Sequence, residues 1–285
     1  MVNSIIFSNF APQFNKSKNN LVRKFYFISL FVLIACLGCQ WHMQPSVEDK
    51  KTDEVVIDRF DQVEIPYLTM ADFAALHQMR TDYPVQTRTL IENVLCLGAV
   101  NEPDINSTLL VYFQDSTLQV LIKDVEQQYA SLDDVNRKLT DAFRRLSKML
   151  PGIEIPKIYA QIGSLDQSIV VADSMLGISL DKYLGADYPV YLRYGYSEQQ
   201  RRMMTRDYIV PDCLGFYLLS LYPMPEAADT LIELRHWHMT KIQYVVNQSM
   251  GRKVFTNDTM EQIEKYMKAH PKLTTDELLL LERLP

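Results

Sequence analysis

Residues 155–179 read IPKIYAQIGSLDQSIVVADSMLGIS, and they mark a change of pattern in a chain whose other segments mostly repeat with helical spacing. Two runs within this stretch, residues 155–163 and 167–174, are rich in β-branched and apolar residues. A short turn around residues 164–166 separates them, and this arrangement is typical of a β-hairpin. Because helical patterns stand on both sides, the order of elements predicts an α+β fold: a mainly helical single domain with a small β-hairpin or sheet.

The segments before the hairpin carry the signals of one short strand and several helices. VVIDRFD, residues 55–61, predicts a strand that starts the folded part. Thr69-x-x-Asp72 resembles a capping box and predicts a helix up to about Tyr83, ended by Pro84. Further helices are predicted over about residues 86–97, 106–130 with a break near Asp115, and 131–150, the last beginning at Ser131-x-x-Asp134. In this last helix the apolar residues repeat at helical spacing and predict one face packed on the core.

Helices resume after the β-rich stretch. Ser197-x-x-Gln200 forms a second capping-box pattern and predicts a helix to about Val210. Further helices are expected over about residues 212–221, 227–250, 258–269 and 275–283.

The first 39 residues have the pattern of a bacterial lipoprotein leader. Four basic residues precede the uncharged run Phe25–Ala35, which is too short to cross a bilayer and has the length of a signal-peptide apolar region. The run ends in Leu-Ile-Ala-Cys36, which resembles a lipobox, and Cys39 is an alternative lipid acceptor. The prediction is a signal peptide over 1–35, a lipidated flexible tether over 36–54 and a globular domain over 55–285. A short membrane anchor that is never cleaved is the alternative.

The charge of the expected mature chain restricts the choice of partners. Without the leader, the chain has 25 basic and 35 acidic residues, a net charge of −10. This balance argues against nucleic acid or an anionic membrane surface as partner. Beyond the lipobox, Cys96 and Cys213 either pair or stay as two buried free thiols.

The sequence lacks the common signatures of hydrolases and nucleotide-binding proteins. It has no HExxH, no GxSxG, no GxGxxG and no phosphate-binding loop of the GxxxxGK[ST] type. His236 and His238 are two apart in a helical stretch, a spacing that places the rings on different faces and disfavours a zinc site. We therefore predict no metal site and no cofactor.

Five aspartates remain as candidates for chemistry within forty residues of one another. They are Asp173, Asp181, Asp187, Asp207 and Asp212. The interpretation we favour is that they cap backbone amides at strand ends and helix starts. Ion binding and general acid–base catalysis are the alternatives.

Several segments, in this order, resemble the gliding-motility lipoprotein family GldB of the Bacteroidota. The segments are RFD (Arg59–Asp61), Tyr83-Pro84, DSTLQ (Asp115–Gln119), Pro156-Lys157, DSMLGISLDKYLGADYPVY (Asp173–Tyr191) and YIVPDCLGFYL (Tyr208–Leu218). The likeness covers about residues 56–223. Beyond Pro223 it is weaker, and only Met250–Lys253 resembles the glycine-lysine element of the family.

The resemblance implies a function and a distant ancestry. The family looks like a remote relative of predicted zinc peptidases that carry HExxH on a helix, and Pro211-Asp212 stands where that motif would begin. This implies a zincin-like shell without the zinc site. It also implies a non-enzymatic lipoprotein of the cell envelope that faces the periplasm, with the outer membrane favoured over the inner.

The partners implied by the resemblance are other envelope lipoproteins or proteins of gliding motility and type IX secretion. Two other functions stay open. One is a divergent hydrolase that uses Asp173, Asp181 and Asp212; the other is an ion- or glycan-binding lipoprotein that uses the aromatic stretch of residues 188–196.

Overall fold

Three short strands form the sheet of this protein, whose structure is a computed structural model that describes residues 54–172, 174–225 and 232–282. The strands are β1 (Lys157–Gln161), β2 (Ile169–Ala172) and β3 (Met175–Ser179). Their order in the sheet is β1-β3-β2, with β3 parallel to β1 and antiparallel to β2. The predicted hairpin between the first two runs is therefore wrong, because the hairpin joins β2 to β3 and β1 lies on the other side of β3.

Helices account for most of the remaining described chain, which confirms the mainly helical α+β class. Before the sheet lie α1 (Phe60–Met70), α2 (Phe73–Thr81), α3 (Pro84–Arg88, continued by a π-helical turn over Thr89–Val94), α4 (Ile105–Phe113), α5 (Ser116–Gln128) and α6 (Asp133–Met149). After the sheet lie a 3-10 turn (Leu180–Tyr183), α7 (Pro189–Arg193), α8 (Glu198–Met203), a 3-10 turn (Arg206–Tyr208), α9 (Ile209–Leu221), α10 (Ile232–Met250), α11 (Asp258–Ala269) and α12 (Thr275–Leu280).

The predicted strand at residues 55–61 is mostly absent. Asp58 makes a single parallel bridge to Tyr159 of β1, donating to Ile158 and accepting from Ala160 at 2.8 Å each. Helix α1 begins two residues later, at Phe60. The run of residues 55–61 thus contributes a single β-bridge at the edge of β1 rather than a strand.

The structure confirms one of the two predicted capping boxes and contradicts the other. Thr69 does not start a helix, because Ala71 adopts a left-handed conformation that ends α1 and Asp72 itself caps α2 by accepting from Ala74. The Ser197-x-x-Gln200 box is confirmed in both directions at the start of α8. Pro84 begins α3 rather than ending α2.

The core is built on the long amphipathic helix α6, which packs along α10 and against α9. Leu139, Phe143 and Leu146 on its inner face are fully buried. This confirms the predicted apolar face of residues 131–150. The two thiols do not pair, so the first alternative for Cys96 and Cys213 is wrong; the second, two buried free thiols, holds for Cys213 but not for Cys96, which is exposed.

Gly177 of β3 leaves room for the aromatic ring of Tyr159 to pack closely against it. It is the register partner of Tyr159, and a Cβ placed on Gly177 would come within 2.6 Å of the Tyr159 ring. Both positions lie in the packed interior. Any larger residue at 177 would therefore have to displace a rigid, buried ring.

Within the described residues, none of the helices has both the length and the apolar character needed to cross a membrane.

Candidate functional site

Asp181 lies directly after β3 and holds the loop that follows β1. Its Oδ1 accepts the amide hydrogen of Gly163 at 2.7 Å, and its Oδ2 accepts that of Leu165 at 2.5 Å. Ser164 and Leu165 in this loop have positive φ angles of 54° and 64°. Burial raises the pKa of the Asp181 carboxyl, and the two amide hydrogen bonds partly oppose this effect. Asp181 thus fixes an unusual backbone conformation.

Two neighbouring side chains hold the same loop from the other side. Lys182 Nζ and the Tyr196 hydroxyl both donate to the carbonyl of Leu165, at 3.1 and 2.9 Å. Lys182 also lies over the Tyr196 ring, 4.6 Å from its centroid. The two charged side chains at this loop, Asp181 and Lys182, therefore bind its backbone amides and one of its carbonyls.

Asp212 lies in the first turn of α9 and is bound by a single tyrosine. The hydroxyl of Tyr183 donates to its Oδ2 at 2.8 Å. Burial raises the pKa of Asp212 to about 7, and the hydrogen bond from Tyr183 acts in the opposite direction. Cys213 beside it is buried, and burial raises the pKa of its thiol, so this thiol is a poor nucleophile.

The other predicted site residues do not join these two. The Asp187 side chain is fully exposed, and its nearest cation is Arg201 at 4.0 Å. Asp207 is exposed and binds Lys138 at 3.1 Å. Asp173, Cys36 and Cys39 lie outside the described residues.

The acids therefore do not form one site. Among the residues that the structure describes, no group of three or more histidine, cysteine, aspartate or glutamate side chains is arranged to hold a metal ion. Both oxygens of Asp181 are occupied by backbone amides, and Asp212 has a tyrosine as its partner. The structural role predicted for the aspartates thus describes Asp181, whereas Asp212 holds a side chain rather than an amide.

Two arginines stabilise the end of α5: Arg59 of the RFD segment, and Arg206, which the sequence analysis did not single out. Arg59 and Arg206 together donate to the four consecutive carbonyl oxygens of residues 128–131, at 2.7–3.4 Å. Each arginine also binds a carboxylate with two nitrogens: Arg59 binds Asp61, and Arg206 binds Asp134. The RFD motif is thus a capping device for a helix far away in sequence.

Glu64 of α1 is a further buried acid that the sequence analysis missed. Its Oε2 accepts the amide hydrogen of Ile162 at 2.8 Å, whereas its Oε1 and the Oε1 of Gln161 have no hydrogen-bond partner among the residues that the structure describes. Burial, and then the charges of Asp61 and Asp181, raise the pKa of Glu64 well above its ordinary value. An acid in the middle of an amphipathic helix has no distinct sequence signature, so its burial could not be read from the pattern.

The aromatic stretch of residues 188–196 does not present a stacking platform. Tyr188 donates to Asp124, and Tyr191 is buried and donates to the carbonyl of Asp181. Tyr196 donates to the carbonyl of Leu165 in the 163–165 loop. Tyr194 is the tyrosine of this stretch that is largely exposed, at 58%.

A large concave surface near the sheet is an apolar groove at the end where β1 and β3 begin. Its volume is about 850 Å³, and we call it the sheet-end groove. Its lining comprises residues 152–157, Val171, Ser174, Met175, Tyr217, Ser220, Leu221 and Val85. None of the described candidate acids lines it.

Comparison with known proteins identifies one family. A sequence model described as gliding motility protein GldB matches residues 40–254, about three quarters of the chain. No curated protein and no solved structure matches. The likeness to a zinc-peptidase shell therefore stays a prediction.

Proposed function

Because the chain belongs to the family of the gliding motility protein GldB, we propose that it is a membrane-anchored envelope lipoprotein that acts without catalysis in gliding motility, in type IX protein secretion, or in both. The anchor is the lipid on Cys36, with Cys39 as the alternative acceptor. The domain faces the periplasm, and the outer membrane is the favoured location. Its partners are other envelope lipoproteins or proteins of the motility and secretion machinery.

The observation that carries the non-catalytic part of the proposal is the use of the carboxylates. Asp181 is fully buried, and both of its oxygens accept backbone amide hydrogens. Catalysis by a pair of acids needs two carboxyl groups facing one substrate. Asp181 instead holds a loop, Asp212 binds a tyrosine, and Asp61 and Asp134 bind arginines, which favours a protein that works by binding.

The alternative of a divergent hydrolase has one observation in its favour. A pKa of about 7 for Asp212 suits a general acid or base at neutral pH. Against this, the hydroxyl of Tyr183 is the one hydrogen-bond partner of the Asp212 carboxyl among the described residues, and no neighbouring acid contributes to its raised pKa.

The test of the proposal is affinity purification of the tagged, lipidated protein from gently solubilised envelopes of its native bacterium. We expect motility or secretion components to co-purify with the wild type. We also expect a labelled fatty acid to be incorporated into the wild type but not into a Cys36→Ser variant. Recovery of the protein alone, with hydrolase activity that Asp212→Asn abolishes, would overturn the non-catalytic proposal.

A further inference from the structure

Strand β2 forms one edge of the sheet, and its register shows which of its backbone groups point outwards. Ser179 donates its amide hydrogen to the carbonyl of Ser168 at 3.0 Å, so residues 168 and 179 form a hydrogen-bonded pair. Such pairs alternate along an antiparallel ladder. The backbone N–H and C=O of Val170 therefore point towards β3, whereas those of Ile169 and Val171 point away from the sheet.

Val171 is the open position on this edge. Ile169 is 4% exposed and is covered by the surrounding chain, whereas Val171 is 41% exposed. Within residues 54–172, 174–225 and 232–282, no strand pairs with the outer side of β2, and no hydrogen bond outside the β2–β3 ladder uses the backbone of Val171. An edge with a free donor and a free acceptor is a template for another extended chain.

The sheet-end groove continues directly from this open position. Val171 lines it together with Val85 and Leu221, which are 39% and 45% exposed. The half-buried side chains of Ile153 and Met175 also line it. One wall is held in place by Tyr217, whose hydroxyl donates to the carbonyl of Glu154 at 2.6 Å. Apolar side chains next to a free strand edge are the two parts of a β-augmentation site.

We infer that the sheet-end groove and the edge at Val171 form a docking site for an extended segment of a partner protein. The segment pairs with the N–H and C=O of Val171 and places an uncharged apolar side chain among Val85, Met175 and Leu221. An acyl chain would fill the groove but would leave both backbone groups of Val171 without partners, so the free edge favours a peptide. The inference rests on the proposed function, because it names how this binding protein holds its partner.

Proline at position 171 tests the main-chain contact. Val171→Pro removes the outward N–H and leaves the β2–β3 ladder intact, because that N–H is not part of it. Val171→Ala is the matched control, since it keeps the N–H and shortens only the side chain. Leu221→Glu places a charge in the groove, and its control is Val111→Glu, at an exposed position of α4 that does not line the groove. Unchanged urea-unfolding midpoints would show that all four variants fold.

The probe is a phage-displayed library of random nonapeptides, selected against the full lipidated protein in phosphatidylethanolamine nanodiscs. We expect enriched peptides with apolar residues at alternate positions, and slower amide hydrogen exchange at Val171 when a synthetic copy binds. Val171→Pro and Leu221→Glu should each weaken binding by about tenfold or more, the effect of about one hydrogen bond or one buried apolar group. Val171→Ala shortens a side chain that lines the groove, so it should weaken binding less than Val171→Pro does, and the difference between these two variants measures the main-chain contact. Val111→Glu should stay within about twofold of the wild type.

Three results would overturn the inference: peptides that bind Val171→Pro as well as wild type, enriched peptides with helical i, i+3 spacing, or no enrichment at all. Binding of a fluorescent fatty acid in the groove, unaffected by Val171→Pro, would also overturn it in favour of a lipid. Failure of the docking site can be told apart from failure of the proposed function. If the Val171→Pro variant still co-purifies with the wild-type partners, only the docking site is wrong.

Discussion

Replacing Asp212 by asparagine is expected to stabilise the folded protein at neutral and alkaline pH. In the folded state, burial raises the pKa of the Asp212 carboxyl from its ordinary 3.8 to about 7. The folded protein therefore holds a proton that the unfolded chain has already lost between these two pH values. Stability falls as pH rises through this window, and no further loss is expected above about pH 7. Asparagine does not titrate, so this dependence disappears.

The size of the effect follows from the two pKa values. A folded pKa of about 7 against 3.8 corresponds to about 4 kcal/mol once both states have titrated. The Asp212 residue keeps some contact with solvent, so we expect about 2–4 kcal/mol. The Oδ1 of asparagine can still accept the hydrogen bond from Tyr183, so packing and pairing are preserved.

The assay is urea unfolding at half-unit steps from pH 4 to pH 8.5, followed by the fluorescence of Trp237 in α10. The wild type should lose about 2–4 kcal/mol relative to Asp212→Asn across this range. Asp187→Asn, at a fully exposed carboxyl, is the control and should follow the wild type. If the stabilities of wild type and Asp212→Asn fall in parallel with pH, the carboxyl does not titrate near 7 in the folded protein and our reasoning about it is wrong.

Four other substitutions test the interior, each by urea unfolding. Glu64→Gln should raise the free energy of unfolding at pH 8 by on the order of 1–3 kcal/mol. Because burial raises the pKa of Glu64, the wild type should lose stability as the pH rises above about 5, and the variant should lose less; equal pH profiles would contradict this. Asp181→Asn should cost about 1–3 kcal/mol, because one of two buried amide hydrogens loses its acceptor; a neutral result would refute its role in the loop. Gly177→Ala should cost about 1–3 kcal/mol through the clash with Tyr159, and a stabilised variant would show that the ring can move. Arg206→Lys should cost about 1–2 kcal/mol, because Arg206 reaches the Asp134 carboxylate and two carbonyls with separate nitrogens and the single ammonium nitrogen of lysine cannot span them. Unchanged stability would show that Arg59 suffices.

The sequence predicted those parts of the fold that depend on local patterns. The apolar face of α6 and the capping box at Ser197 are properties of one segment, and both are confirmed. The β-rich runs were identified as strands for the same reason. The pairing of β1 with β3 was missed because strand periodicity tells which residues are extended but not which strand lies beside them.

The sheet-end groove, the docking site that we propose, was harder to predict because its parts are distant in sequence. The sheet-end groove combines Val85, β2, the start of β3 and the end of α9, and no single segment carries its signature. Conversely, the aspartate-rich stretch was considered as a possible catalytic or ion-binding site, although Asp181 binds two backbone amides. Charged residues in a patterned segment look alike in sequence whether they bind a substrate or a loop.

The most direct test of the central claim, that this protein works by binding rather than by catalysis, is replacement of its gene in the native bacterium by the Asp212→Asn variant. Colony spreading and the amount of secreted protein would be measured beside the amount of the variant in the envelope. Our account predicts wild-type spreading and secretion, because asparagine keeps the bond to Tyr183 and loses only acid–base chemistry. Loss of both at a normal amount of folded protein would contradict the account.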